Sequence, residues 1–299
     1  FFPKNVNECI EIIENCKKKN LKICSRGSGL SYGDIITNNE NVLLDFTFMN
    51  KIISWNNESG IIILQPGTTF AQVFNFSLLD NWTLSACPGS FDITIGGAVS
   101  NNVHGKDSYK NGNFGNQILE FKLLLASGKI IIVNSIKNSS LFKAVVGGMG
   151  LIGIIVEIKI QLKKIPSPFV RVTNKISKNI FDTLDYIESI KENCDFSVAW
   201  VDCFAKKDAL GRGFVTSAKW TDAKYKVTKN ELEKSLTKSK KIFGMIPAKK
   251  TWHITKIFFQ PSAIKKLNYL FYKLNLYSDF FSINKEKIQL FTKYNFMHN

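Results

Sequence analysis

The chain is expected to fold as α+β in two parts, residues 1–165 and 166–299, and three observations carry that expectation. Apolar segments of strand length alternate with amphipathic segments of helical period through the first part. Pro166-Ser167-Pro168 then interrupts the pattern with residues that cannot continue a strand ladder and that stiffen a connector. Beyond it, strand-like runs surround one helical segment, the pattern of a further α+β unit on an antiparallel sheet. With 299 residues, 44% of them hydrophobic, the chain is long enough for two ordinary domains with well-formed cores.

In order, Val6–Lys18 reads as an amphipathic helix with Val6, Ile10, Ile13 and Cys9 or Cys16 on one side, and Leu21–Cys24 as the strand after it. Val42–Phe46 and Ile61–Gln65 are strands. Pro66-Gly67 turns the chain, and Thr69–Asp80 is a helix with Phe70, Val73, Phe74 and Leu78 inward. Phe121–Ala126 and Ile130–Val133, joined by Ser127-Gly128-Lys129, read as a β-hairpin. Ser140–Val145 is a short helix, and Gly147-Gly148-Met149-Gly150 leads into the strand Ile154–Leu162 with room for a close contact to a cofactor or to the packed sheet. The second part holds the strand Phe169–Val172, the helix Ile180–Lys191, and the strands Phe196–Phe204 and Gly213–Lys219.

Two glycine-rich loops carry the functional signal. In residues 88–130, Gly96 and Gly97 remove side chains where a flat or phosphorylated group can press on main chain, and Thr94 can cap the short helix that follows. His104 and Lys106 come next, a polar pair able to take part in proton chemistry or to meet an oxyanion. The other loop, Ser25–Asp34 with the sequence SRGSGLSYGD, follows a strand, so its backbone N–H groups can face a phosphate and Arg26 can add a guanidinium. Its spacing is neither GxGxxG opening a helix nor GxxxxGK[ST], which excludes the Rossmann and P-loop readings. On the residues alone, two unrelated tight loops stay open as an alternative, as do a hydrogen-bonded core histidine for His104 and a surface lysine for Lys106.

Together the two loops resemble the flavin-binding domain of the vanillyl-alcohol oxidase superfamily, the PCMH type, which is built from two subdomains around an extended FAD. RGSGLSYGD, PGSFDITIGGAVSNNVHGK, GNFGNQILEFKLLLASGKI, VVGGMGLIGIIVEIKI and FSVAWVDCFAKKDALGRG are similar, in that order, to the decaprenylphosphoryl-ribose 2-oxidase family. The resemblance implies an FAD-binding domain over residues 1–165 and part of a substrate domain over 166–299. It places Ser25, Arg26, Gly27, Ser28, Gly29, Leu30, Ser31, Tyr32, Gly33, Asp34 and Ile35 in the first pyrophosphate loop. Gly89, Thr94, Ile95, Gly96, Gly97, Asn101, Asn102, Val103 and His104 fall on the flavin and second phosphate side, and Ile155 meets the cofactor through its backbone. His104 and Lys106 match the family's HGK sequence beside the isoalloxazine and substrate, while Tyr272 in LFYKLN falls at a segment that departs from the family's tryptophan and arginine. Because Ser25–Asp34 holds no histidine or cysteine, the FAD is expected to be noncovalent.

The implied reaction is oxidation of a sugar hydroxyl to a ketone, at C2 of a polyprenyl-phosphoryl ribose, with an NAD(P)H-dependent short-chain reductase completing an epimerisation to arabinose. An alditol or aldonolactone oxidase using oxygen, and a non-catalytic basic binding protein, stay open beside it. Both ends read as cut, since Phe1-Phe2-Pro3 starts as if within a strand and family members continue beyond Asn299 with further active-site residues.

The net charge of +16 is uneven: residues 1–165 hold 16 basic and 12 acidic residues, and 166–299 hold 24 and 12. Ala223–Lys256 alone has ten lysines against Glu231 and Glu233, and reads as a solvated loop, with contact at a membrane surface as the alternative. Nucleic acid is disfavoured, because recognition needs aromatic or arginine readout and the arginines number three, Arg26, Arg171 and Arg212. The six cysteines form no CxxC and no ligand pattern with His104, His253 or His298, so no metal site is expected and Cys9 and Cys16 read as buried thiols. Apolar runs such as Leu151–Val156 are too short to cross a bilayer, and a cytoplasmic location with contact at the membrane surface is expected.

Overall fold

Helix α1, Val6–Lys18, starts where Asn5 accepts a hydrogen bond from the Glu8 amide at 3.0 Å and ends in Lys17 and Lys18, which suit the negative pole of the helix. Its buried residues Cys9, Ile13 and Cys16 recur at helical spacing and pack on Val42, Leu44, Phe46 and Met49. The computed structural model describes residues 1–222, 226–237, 241–242, 246–247, 260–280 and 286–295. It divides into two compact units, Phe1–Ile165 and Pro166–Asn299.

In the first unit, β1 (Ile23–Arg26) and β2 (Val42–Asp45) form a parallel pair beneath α1. An antiparallel five-stranded sheet runs β3 (Ile52–Asn56), β4 (Ile61–Leu64), β8 (Ile154–Gln161), β6 (Ile118–Leu124) and β7 (Ile130–Val133). The hairpin expected around Ser127-Gly128-Lys129 is β6 and β7, with Gly128 at φ +84°. Strand β3 was missing from the sequence reading because a bulge between Ile52 and Ser54 breaks its alternation. The short pair β5 (Trp82–Thr83) and β9 (Lys163–Lys164) closes the unit.

Helix α2, Phe70–Ser77, opens with a reciprocal capping box between Thr69 and Gln72 and stops short of the expected Asp80, with Asn81 at φ +59° turning the chain. It carries Phe70 and Phe74 into an aromatic core, where Phe74 meets Phe91 at 5.2 Å and Phe70 meets Phe114 at 5.2 Å between ring centroids. Helices α3 (Ile95–Ser100), α4 (Ser108–Asn111) and α5 (Ser139–Val145) are short.

The second unit is an antiparallel sheet ordered β11 (Phe196–Val201), β12 (Gly213–Trp220), β10 (Phe169–Ser177) and β15 (Glu286–Leu290), with α6 (Ile180–Ile190) packed on it. The two-residue strands β13 (Lys241–Ile242) and β14 (Ile246–Pro247) pair with each other. Helix α7, Lys229–Leu236, corrects the expectation of a solvated loop across Ala223–Lys256: Thr228 and Glu231 form a capping box and Leu232 is fully buried. The rest of that stretch, together with His253 and His298, lies outside the described residues apart from β13, β14, 226–228 and Thr237. A helix at Pro261–Phe280, absent from the sequence reading, completes the larger elements.

Phe74 has no exposed surface, so Phe74→Ala should cost about 3–5 kcal/mol through lost burial and the cavity left behind. Guanidinium unfolding monitored by fluorescence checks this, and a loss under about 1 kcal/mol would mean the aromatic core is not the stabilising centre of this unit.

Candidate cofactor site

Strand β1 ends at Arg26, opposite Asp45 of β2, and the two side chains approach to 3.8 Å. The chain then passes the start of α3 at Gly27. A Cβ on Gly27 would lie 2.1 Å from Thr94 Oγ1, so a side chain there cannot be accommodated unless Thr94 moves. Thr94 is not free to move without cost, because its Oγ1 accepts the Gly97 amide at 3.3 Å as the cap of α3. The Ser28 hydroxyl donates to the Asp92 carbonyl, a second tie between the two loops. Gly29, at φ +65°, leaves room for the Arg26 guanidinium to fold back over it.

The second loop is laid along residues 66–71. Phe70 and Ala71 amides donate to the Ile93 and Phe91 carbonyls at 3.1 and 2.9 Å, and Ile95 and Gly96 amides donate to the Thr68 and Pro66 carbonyls at 2.7 and 2.8 Å. A Cβ on Gly96 would sit 2.7 Å from Pro66 Cβ, so this glycine serves backbone packing. The opening amides of α3 are therefore all spent inside the protein. By contrast, among the described residues the amides of 28–36 in the first loop donate no hydrogen bond. The Arg26 Nε is likewise buried without a hydrogen-bond partner. Uncommitted amides beside a guanidinium are the chemistry that receives a phosphate.

The third wall is the turn before β8. Gly147 and Met149 amides donate to the Val99 and Ser100 carbonyls of α3 at 3.0 and 2.8 Å, and Met149 and Gly150 hold φ of +54° and +75°. These walls enclose a cavity of about 380 Å³. Of the residues expected at a cofactor, Ser25, Arg26, Gly27, Ser28, Gly29, Leu30, Ser31, Tyr32 and Ile35 line it, with Thr94, Gly96, Gly97, Asn101, Val103 and Ile155 opposite. Phe46, Pro66, Ile93 and Ser100 line it too and were not anticipated; the Pro66-Gly67 turn was their one visible signal. Met149, Gly150 and Gly153 join them, so the glycine run before β8 serves this wall as well as the sheet.

Other expected residues sit elsewhere. Gly33 and Asp34 are exposed in the same loop, Gly89 is off the wall, and Ile95 is fully buried in the core. Asn102, at φ +43°, turns its Oδ1 to the Gly115 amide at 2.9 Å. His104 is exposed and Lys106 half-buried, both beyond the cavity wall. Burial lowers the Lys106 pKa to about 8, since a partly desolvated ammonium is disfavoured. The turn bearing both is held by Asp107, which is buried and accepts from the Ala86 amide at 3.0 Å and from Asn111 Nδ2 at 2.9 Å. Burial raises the Asp107 pKa, and its other oxygen has no hydrogen-bond partner. Tyr272 belongs to the second unit, buried with its ring 4.9 Å from the Arg212 guanidinium, which itself pairs with Asp202 at 3.0 Å.

Residues 1–134 match the family model described as an FAD binding domain. The chain is similar to the decaprenylphosphoryl-beta-D-ribose oxidase of Mycolicibacterium smegmatis, 29% identical over 196 residues, covering 65% of this chain and 43% of that one. It is similar also to the D-arabinono-1,4-lactone oxidase of Candida glabrata, 25% identical over 230 residues (75% and 43%), and to the L-gulonolactone oxidase of Bos taurus, 24% over 202 residues (67% and 44%). The chain thus spans less than half the length of these relatives.

Gly27→Ala and Thr94→Ala should each destabilise the unit, the second by about 1 kcal/mol through the lost cap. Combined, they should cost clearly less than the sum, because removing Oγ1 relieves the clash with the new methyl group. Thermal or denaturant unfolding of the four proteins of this cycle measures the coupling; strict additivity would mean the two residues do not meet.

Proposed function

We propose that this chain is part of an FAD-dependent oxidoreductase that oxidises a sugar hydroxyl to a ketone, C2 of a polyprenyl-phosphoryl ribose, with a separate NAD(P)H-dependent reductase completing the epimerisation. The observation that carries the proposal is the row of uncommitted amides at 28–36 beside Arg26, on a cavity walled by glycine backbone from two further segments. The similarity to a decaprenylphosphoryl-ribose oxidase supports the substrate class. When bound, FAD would supply the hydride acceptor for the carbinol C–H.

The chain's own residues would do the holding. Arg26 and the amides of the first loop receive the pyrophosphate, and Gly27, Gly97 and Ile155 let the cofactor lie against main chain. No histidine or cysteine lies within Ser25–Asp34, so attachment would be noncovalent, resting on these bonds and on burial. On the turn beyond the cavity wall, half-buried Lys106 would meet the anionic part of the substrate or oxyanion charge, with the exposed His104 beside it. A desolvated ammonium gains from such an anion, which restores the pKa that burial depresses.

Purified protein should carry flavin absorbance, and denaturation should release the flavin intact into the supernatant. Protein that stays colourless after incubation with FAD would refute the assignment. Because the Lys106 pKa is about 8 in the absence of ligand, substrate affinity should be flat below that pH and fall as the ammonium deprotonates above it. Lys106→Gln should bind more weakly at pH 7 and show no such fall, as seen in the pH profile of KM; a wild-type profile unchanged in the variant would remove Lys106 from the site.

The alternative, a sugar-lactone or alditol oxidase using oxygen, draws on the lactone oxidase similarity that covers 75% of this chain. Peroxide release with a soluble lactone or alditol favours it, and ketone formation on a lipid-phosphate sugar favours the first.

A further inference from the structure

The helix Pro261–Phe280 buries the less apolar of its faces. Asn268 donates to Asp202 Oδ1 at 3.1 Å, and Tyr272 packs beside Arg212, so the inward face is largely polar or amphipathic. Leu267, Leu270, Phe271 and Leu274, at the i, i+3, i+4 and i+7 spacing of one helical stripe, are exposed at 45–60%. Together with Trp200 of β11 they line an open groove of about 340 Å³. Phe271 fixes the floor, its ring edge-on to Trp200 at 5.0 Å and to Phe214 at 5.6 Å.

Lysines border this stripe. Lys266 and Lys273 are exposed, seven residues apart, and fall on the helical face next to Leu270 and Leu274. The helix sequence holds three lysines against the single acid Asp279, in the half of the chain that carries 24 basic and 12 acidic residues. An apolar stripe bordered by ammonium groups matches a surface with hydrocarbon below and negative charge above. An uncharged partner surface would accept the leucines and strand the lysines, whereas anionic headgroups satisfy both. No helix among the described residues is long and apolar enough to cross a membrane, so the contact is one of lying on the surface.

We infer that the Leu267–Leu274 stripe, with Lys266 and Lys273, docks this unit on an anionic lipid surface. The inference goes beyond the proposed reaction and is independent of it, since it needs neither flavin nor substrate. It also places the contact on a defined helix face.

The test is co-sedimentation of the full chain with phosphatidylcholine vesicles, with and without phosphatidylglycerol. The wild type should partition onto the anionic vesicles, less so as salt is raised. Lys266→Glu with Lys273→Glu should weaken partitioning at least about tenfold. Leu270→Ser with Leu274→Ser should also weaken it by about tenfold, with circular dichroism melting unchanged in both, because the altered side chains are exposed. Three results would overturn the inference: equal binding to both vesicle types, wild-type binding by either variant, or a dimer in gel filtration that the leucine substitutions dissociate.

Discussion

The first unit depends on one close approach of main chain to main chain, Gly27 passing the cap of α3 at Thr94. Thr94 is held from the other side as well. It bridges Thr69, while the amides that follow it bind carbonyls of Pro66 and Thr68. Residue 67 is in turn a glycine whose Cβ would lie 1.9 Å from the Phe46 carbonyl oxygen. Four segments from different parts of the chain therefore meet with almost no side chain between them. Such a junction gains little from hydrophobic burial and is kept by hydrogen bonds and by the aromatic core under α2. Its benefit is a wall of backbone, which a large ligand can approach more closely than it can approach side chains.

The local grammar of the fold was legible where one periodicity served one buried face. Helix α1 announced itself through the apolar spacing of Val6, Ile10, Ile13 and Cys9 or Cys16; the β6–β7 hairpin did so through two apolar runs around Ser127-Gly128. Legibility failed where the pattern and the burial parted. Strand β3 carries a bulge that shifts its register, and Pro261–Phe280 turns Asn268 toward Asp202 and leaves Leu267, Leu270 and Leu274 exposed, so neither matches the template a core element would show.

At the site, sequence reasoning reached the glycine loops because glycine leaves a compositional mark. It missed Phe46, Pro66, Ile93 and Ser100, ordinary residues brought to the cavity by the way the chain is tied at residues 66–71. It also treated the α3 glycines and the first loop as equivalent hosts for anionic groups. The distinction between them is one of hydrogen-bond satisfaction: the α3 amides are consumed by carbonyls and a threonine, and those of 28–36 are not. No single-sequence pattern records which amides a distant segment has claimed.

Strand β8 occupies the middle of the five-stranded sheet, pairing with β4 at Ile61–Gln161 and with β6 at Leu123–Ile155. The match to the FAD binding domain family ends at residue 134, twenty residues before β8 begins at Ile154. During translation the β3–β4 and β6–β7 hairpins would therefore emerge first and wait, with their inner edges open, until the ribosome has released residue 161. A recombinant fragment trimmed at 134 would make that interval permanent. It would keep two lone hairpins, each too small to be stable in water, and present their unpaired edges to other chains.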